Sequence, residues 1–419
     1  MDDITVTGVG ALSPLGTGID AFWRGMHTAR TAPSRVPDPL ARMDHPRMYL
    51  VPEADVPDGP AEWEGLPLGR GSRFAIEAAR QAARDAGLDG GFAEPGSVDP
   101  RRVAVVISSG MGDTELHEAW WSGKAPDSGR WAPVFPVASV VGGLLGARGP
   151  NTCVSNACSA SGYALSVAAD LIRSGEADVV FAGGAEAYSR VALACFNRLG
   201  AIDPERCRPF AADRRGTVFG EGAAVLVLES AAHARARGAG PGYARLVGTG
   251  WSCDAHHATA PEPGGEQIER AMRQALRDAD AGDAGADETD AGETDAGDAG
   301  PGETGGDAVG FVVPHGTGTD LNDVVESRVL AAVAPRAPLY SLKALIGHTG
   351  GAAGAFAALS AALMLHHRTL PPNVPVGAAD PECAVPLPSG STPLSGGYGL
   401  VNAYAFGGNN ISLVLAEAR

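Results

Sequence analysis

Short apolar runs alternate with longer amphipathic stretches along the chain. The strand-like runs of the first half are "ITVTGVG" (4–10), "RVAVVISSG" (102–110), "DVVFAGG" (178–184) and "AAVLVLES" (223–230). Residues 72–86 and 159–175 read as helices. In the second of these, Ala160, Tyr163, Ala164, Val167, Ala168, Leu171 and Ile172 recur at spacings of three and four, which places them on one helical face. The second half repeats the theme: helix-like 265–277, strand-like "VGFVVPHG" (309–316), helix-like 322–333, strand-like 338–342 and helix-like 350–366. The C-terminal "YGLVNAYAFGG" and "NISLVLAEA" read as paired strands. Strands that are apolar at nearly every position need cover on both faces. The pattern therefore predicts an α/β protein of two similar halves, 1–240 and 241–419, joined near "RARGAGPGYARLVGTG" (235–250).

One segment departs from this pattern. Residues 278–307, "DADAGDAGADETDAGETDAGDAGPGETGGD", hold eleven acids and no base. Such a repeat buries too little apolar surface to offset its ordering entropy, so it predicts a disordered surface loop, a spacer or an acidic docking arm. It also changes the meaning of the net charge: without these eleven carboxylates, −17 becomes −6. The globular part is mildly acidic and offers no basic field for nucleic acid. No apolar run reaches the roughly 18 residues of a membrane span. "MDDITVTGVG" lacks the basic and apolar regions of a signal peptide, so a cytoplasmic protein is expected. Six scattered cysteines without a CxxC pair argue against a zinc ribbon or disulfide framework, and no metal site is expected.

Three places could carry chemistry. "NTCVSNACSASGYAL" (151–165) holds Cys153 inside a strand-like approach and Cys158 just before a helix. A helix N-terminus favours the thiolate, whereas strand burial opposes it. Either cysteine could instead be a small buried hydrophobe. His315 ends an apolar strand in "VVPHGTGTDLNDVVES", followed by Thr317 and Thr319, and strand ends are where α/β sheets bind ligands. "YSLKALIGHTGGAAGAFAAL" carries Lys343 and His348. The chain has two lysines, Lys124 and Lys343, against thirty arginines, which hints that position 343 needs a compact ammonium. "GVGALSPLG" (8–16) begins like a dinucleotide loop but has Ser13 at the sixth position.

Together these segments resemble the β-ketoacyl-acyl carrier protein synthases, the condensing enzymes of type II fatty-acid and polyketide assembly. The blocks run in order: "VTGVGALSPLGTGIDAFWRGM", "RGPNTCVSNACSASGYAL", "ADVVFAGGAEA", "CRPFAADRRGTVFGEGAAVLVLE", "CDAHHATAPEPGG", "HGTGTDLNDVVES", "KALIGHTGGAAGA" and "NAYAFGGNN". The resemblance implies a thiolase-like fold of two duplicated α/β halves with a layered αβαβα core. It implies that Cys158 takes the acyl chain as a thioester, with its own N–H and that of the gating Phe406 as the oxyanion hole. His315 and His348 would hold the malonyl thioester, with Lys343, Asp323 and Glu326 orienting and polarising the pair. Thr317 and Thr319 would contact phosphopantetheine, and His257 and Thr259 would line its channel. Met111 would border the acyl tunnel, and Arg70 and Arg73 would dock an acidic carrier protein.

The resemblance implies no cofactor beyond the carrier's phosphopantetheine, and a homodimer or a heterodimer with a related chain-length-factor subunit. The "SAS" after Cys158 departs from the more Thr- or Gly-rich run of many relatives, which leaves acyl preference open. Two alternatives stand beside the active ketosynthase: a non-catalytic partner subunit, and a thiolase-type enzyme using coenzyme A.

Overall fold

The protein is described by a computed structural model covering residues 3–90, 92, 98–124, 133–287, 308–394 and 396–418, the side chains of 281–287 excepted. Among these residues one sheet organises the chain. Its main strands are β1 (Ile4–Ser13), β2 (Val103–Ser108), β3 (Asn151–Val154), β4 (Val179–Glu186), β5 (Gly222–Ser230), β6 (Ala244–Cys253), β7 (Val309–Val313), β8 (Tyr398–Ala405) and β9 (Asn409–Glu417). They run in the order β7-β8-β9-β6-β1-β5-β4-β2-β3, and Gly16–Thr17 folds back onto β1. The helices are α1 (Ile19–Thr28), α2 (Arg70–Asp85), α3 (Thr114–Trp121), α4 (Val137–Leu145), α5 (Ala160–Arg173), α6 (Arg190–Arg198), α7 (Ala231–Ala236), α8 (Glu266–Asp287), α9 (Asp320–Val333), α10 (Lys343–Ile346) and α11 (Ala353–His367).

The connectivity repeats about the β1–β6 pair, where Ile4 faces Leu246. Outward on one side, β1–β5 and β5–β4 are antiparallel, then β4–β2 and β2–β3 parallel. On the other, β6–β9 and β9–β8 are antiparallel and β8–β7 is parallel. The predicted strand at 338–342 contributes one parallel bridge, Leu339 to Val312, at the place equivalent to β3. β1 and β6 carry matching bulges at Val6/Gly8 and Leu246/Gly248. A Cβ on Gly8 or Gly10 would fall 2.5 or 2.0 Å from the carbonyl oxygens of Ala82 or Ala78 on α2. A Cβ on Gly248 or Gly250 would fall 2.0 Å from those of Ala275 or Ala271 on α8. The Gly-x-Gly of "GVGALSPLG" thus serves close helix-on-strand packing, and its counterpart in the second half does the same.

Strand side chains alternate between two cores. Val103, Val105 and Ile107 of β2 face α2 and α4, whereas Ala104 and Val106 face the molecular centre. In the second half, Val309 and Val312 face α8 and α9, and Phe311 and Val313 face the centre. The centre holds α5 and α11, which pack against each other and against both halves of the sheet. Every residue of α11 from Ala353 to Leu365 is buried, as expected of a helix apolar all round. The layers are therefore αβαβα. α5 and α11 cross at glycines: a Cβ on Gly354 would fall 2.6 Å from the Gly162 nitrogen.

The acidic segment is corrected in part. α8 continues to Asp287, so the first ten residues of the acidic segment, 278–287, are helical rather than loop. Ala279 joins the apolar stripe of Ile268, Met272, Ala275 and Leu276 against the sheet, and packing overrides composition there. Residues 288–307 lie outside the described residues. Among the described residues no helix is long and apolar enough to cross a membrane.

Candidate active site

β3 ends at Val154, and a tight turn (Ala157–Ser159) delivers Cys158 to the start of α5. Ala157 takes a left-handed backbone, φ 55°, unusual for a residue with a Cβ and the kind of local strain that directs a side chain. The "SAS" residues face the scaffold: Ser159 Oγ donates to the Asn156 carbonyl at 3.2 Å, and Ser161 Oγ accepts the Ala355 amide of α11 at 2.9 Å. Cys158 is buried, and burial pushes its thiol up to about 12 despite the nearby Lys343 ammonium; the Glu186 carboxylate pushes the same way. The thiolate-favouring effect expected from the helix start is outweighed by desolvation. Cys153 pairs with Ile107 within the sheet and packs on the outer core, where burial raises it to about 11.

His315 follows the end of β7. Its Nδ1 lies 3.3 Å from Lys343 Nζ, which also donates to the His315 carbonyl. An ammonium has only donors, so Nδ1 accepts and the ring proton is assigned to Nε2. The His348 ring stands nearly perpendicular to it, centroids 5.5 Å apart. Burial, and then the Lys343 charge, hold both imidazoles well below their ordinary value, so both are neutral. Burial also lowers Lys343, opposed chiefly by Glu326. His348 stacks on Phe219 at 5.9 Å, donates its backbone N–H to Val218, and leaves its buried Nδ1 unpartnered among the described residues.

Asp323 and Glu326 stand one turn apart on α9. Glu326 accepts the His315 and Gly316 amides at 2.7 Å each. Asp323 accepts those of Thr317 at 3.0 Å, Gly318 at 3.1 Å and Phe210 at 2.7 Å. Among the described residues neither carboxylate hydrogen-bonds an imidazole ring; Glu326 acts on the pair through the His315 amide and through the charge it presents to Lys343. They shape the turn after β7, in which Gly316 and Gly318 have φ 39° and 77°. Burial raises Glu326 to about 7.

Two cavities meet at Cys158. One, of about 80 Å³, is lined by His315, His348, Thr217, Asp254, Asn322 and Tyr404 among others; the second, about 130 Å³, is lined mainly by Met48, Met111, Leu193, Phe219 and the glycines 110, 350 and 351. Cys158, Phe196 and Phe406 line both. Phe406 stacks flat on Phe196, centroids 5.1 Å apart and planes within 2°. A nucleophile between an apolar chamber and a chamber holding two neutral imidazoles suits acyl transfer followed by charge development beside the imidazoles.

Residues 1–234 match the family description "Beta-ketoacyl synthase, N-terminal domain" and residues 303–377 its C-terminal domain. The chain belongs to the β-ketoacyl synthase family. Its relatives include a 3-oxoacyl-(acyl-carrier-protein) synthase 2 of Synechocystis sp., 30% identical over 99% of this chain and 98% of that protein. A putative polyketide beta-ketoacyl synthase 1 of Streptomyces halstedii is 33% identical over 91% of this chain and 89% of that one. Among solved structures, the ishigamide ketosynthase/chain length factor superposes with a TM-score of 0.83 at 30% identity, covering 99% of each chain.

The remaining expectations for this β-ketoacyl synthase divide. Thr317 and Thr319 line the polar cavity, their hydroxyls 2.8 Å apart, and Thr259 lines it too. His257 is absent from that lining; its exposed ring accepts the Thr259 and Ala260 amides at 3.1 Å each and so shapes the loop. Met111 lines the apolar cavity. Arg70 and Arg73 hold partners within the chain. Arg70 turns inward to buried Glu221 at 2.7 Å and lies 4.9 Å over the Phe74 ring; Arg73 donates to the Pro57 carbonyl. Arg70 also reaches the exposed Glu53 at 3.3 Å, so both half-buried arginines already have partners within the chain.

Sequence reasoning missed Phe196, Phe219 and Glu186. Glu186 ends an apolar strand, the rule that flagged His315, but no neighbour in sequence drew notice to it. Among the described residues no cluster of three or more His, Cys, Asp or Glu is arranged to hold a metal ion.

Proposed function

We propose that this chain is an active ketosynthase that loads an acyl group on Cys158 and elongates it by decarboxylative Claisen condensation with a malonyl thioester. The observation carrying this reading is the position of Cys158 at the junction of the two cavities, with His315 and His348 in the polar one.

In the first step the Cys158 sulfur attacks the incoming thioester carbonyl. The oxyanion faces the backbone amides of Cys158 and Phe406, the carrier thiol leaves with the proton from Cys158, and the acyl chain occupies the apolar cavity. A malonyl thioester then enters the polar cavity. Its C–C bond to the carboxylate breaks, CO2 leaves, and the electron pair becomes an enolate whose oxygen accepts hydrogen bonds from the imidazoles. Neutral donors suit this step: an N–H on His315 Nε2 stabilises developing negative charge without a standing cation in the chamber. The enolate carbon attacks the acyl thioester, the tetrahedral oxyanion collapses, and Cys158 leaves as thiolate and regains a proton.

All reacting groups are side chains and substrates, so the reading calls for no cofactor beyond carrier-borne phosphopantetheine. Relatives named for the acyl-carrier protein and for the ketosynthase/chain length factor pair support a carrier-protein donor and a homodimer or related heterodimer. The complete set of Cys158, His315, Lys343 and His348 favours catalysis over a silent partner role. The second histidine beside Lys343, with Phe406 in the glycine turn, favours a carrier-dependent synthase over a coenzyme A thiolase. Six free cysteines suit a reducing cytoplasm.

The test is reconstitution with acyl- and malonyl-carrier protein. The reading expects CO2 and a β-ketoacyl carrier product in equal amounts; CO2-free incubations across short and medium acyl chains overturn it.

A further inference from the structure

Glu186 is buried at the end of β4, where it lines the apolar cavity, and it takes no part in the steps above. Its carboxylate accepts four hydrogen bonds from two separate segments. The Gly110 amide donates at 2.8 Å, the Met111 amide at 2.9 Å and Ser109 Oγ at 3.1 Å. From the other side the Gly351 amide donates at 2.6 Å.

The first segment supplies Gly110 and Met111 to the wall of the apolar cavity; the second supplies Gly350 and Gly351, two and three residues after His348. The site is built for this approach. A Cβ on Gly110 or Gly350 would fall 2.8 or 2.6 Å from Glu186 Oε2, and one on Gly351 would fall 2.4 Å from the Gly110 nitrogen. Ser108 Oγ adds a bond to the Gly351 carbonyl at 3.0 Å. One carboxylate therefore joins the wall of the apolar cavity to the turn that follows His348.

We propose that Glu186 is a positioning residue that couples the length of the acyl chain on Cys158 to the placement of His348, so that malonyl decarboxylation answers to the loaded chain. The coupling runs through backbone: displacement of Met111 moves the Gly110–Met111 amides, the shared carboxylate follows, and Gly351 with the 348–351 turn follows it. Such a link needs two segments held by one rigid group, which the hydrogen bonds supply. It rests on the ketosynthase reading of the same site.

The experiment loads Cys158 with butanoyl, hexanoyl and octanoyl groups from pantetheine thioesters, then measures CO2 release from malonyl-carrier protein. For the native protein the expected result is a turnover number that changes at least fivefold across the three chains. For Glu186→Gln, which replaces an acceptor oxygen by a donor, turnover becomes the same within twofold for all three, while KM for malonyl-carrier protein stays within twofold. Glu186→Asp, which keeps the charge, restores part of the chain dependence. A native protein that releases CO2 at one rate for every chain, or a Glu186→Gln protein that keeps the full dependence, overturns the proposal. Either outcome leaves acyl loading and decarboxylation themselves observed, so the ketosynthase reading is judged separately. Should Glu186→Gln not fold, imidazole NMR of His348 in the native protein decides: its signals shift progressively with chain length if the link exists and stay fixed if it does not.

Discussion

The Lys343 ammonium lies 3.3 Å from His315 Nδ1 and donates to the His315 carbonyl. Through that contact a buried lysine sets which imidazole nitrogen carries the proton. Lys343→Arg places a wide planar fork where a compact cation sits. We expect turnover to fall roughly 100-fold, the low end for a misplaced proton-donating group, with KM for the carrier and the melting temperature nearly unchanged. Steady-state kinetics and 15N chemical shifts of His315 check this; native turnover, or a proton on Nδ1 in the native protein, contradicts the assignment.

Cys158 rests as a thiol, because burial pushes it up to about 12. Alkylation by iodoacetamide should then accelerate about tenfold per pH unit from pH 7 to 10, since only the thiolate reacts. A rate that levels off below pH 8.5 contradicts the buried-thiol description.

Glu326 titrates near 7 in the folded protein against 4.5 as its ordinary value. The folded state holds this proton more tightly, so stability is fully present below about pH 4.5 and is lost as pH rises towards 7. The contribution is on the order of 3 kcal/mol. Glu326→Gln removes a titrating group, so chemical denaturation from pH 5 to 7.5 should show a flatter slope for the variant than for the native protein. Equal slopes contradict the raised value.

Phe406 stacks on Phe196 where the two cavities meet. Phe406→Ala removes an aromatic pair worth about 1 kcal/mol and opens the chambers to each other. The acyl-Cys158 thioester should then hydrolyse on the order of tenfold faster, read by the decay of acylated protein in intact-mass spectra. An unchanged lifetime argues against a wall at this position.

Much of the site was legible because its residues sit in local patterns. His315 ends an apolar strand, Lys343 stands out in an arginine-rich chain, and Cys158 opens a helix. The layers were legible because α11 and the strands are apolar without interruption. What the sequence hid depends on partners far along the chain. Arg70 reads as a surface cation on an amphipathic helix, but its partner Glu221 is 151 residues away. Glu186 reads as a strand end, but its work is to hold amides 75 and 165 residues distant. The Cys158 pKa went the other way because helix-start effects are local while desolvation is set by everything packed around the thiol. The acidic segment begins as helix because its first residues continue a packed face, which composition does not report.

The central claim is that Cys158 carries the acyl chain, and intact-mass spectrometry tests it most directly. Native protein incubated with acyl-carrier proteins should gain one acyl mass, and Cys158→Ala should gain none. Acylation that persists in Cys158→Ala, or a native protein that stays unmodified across the acyl series, contradicts the account.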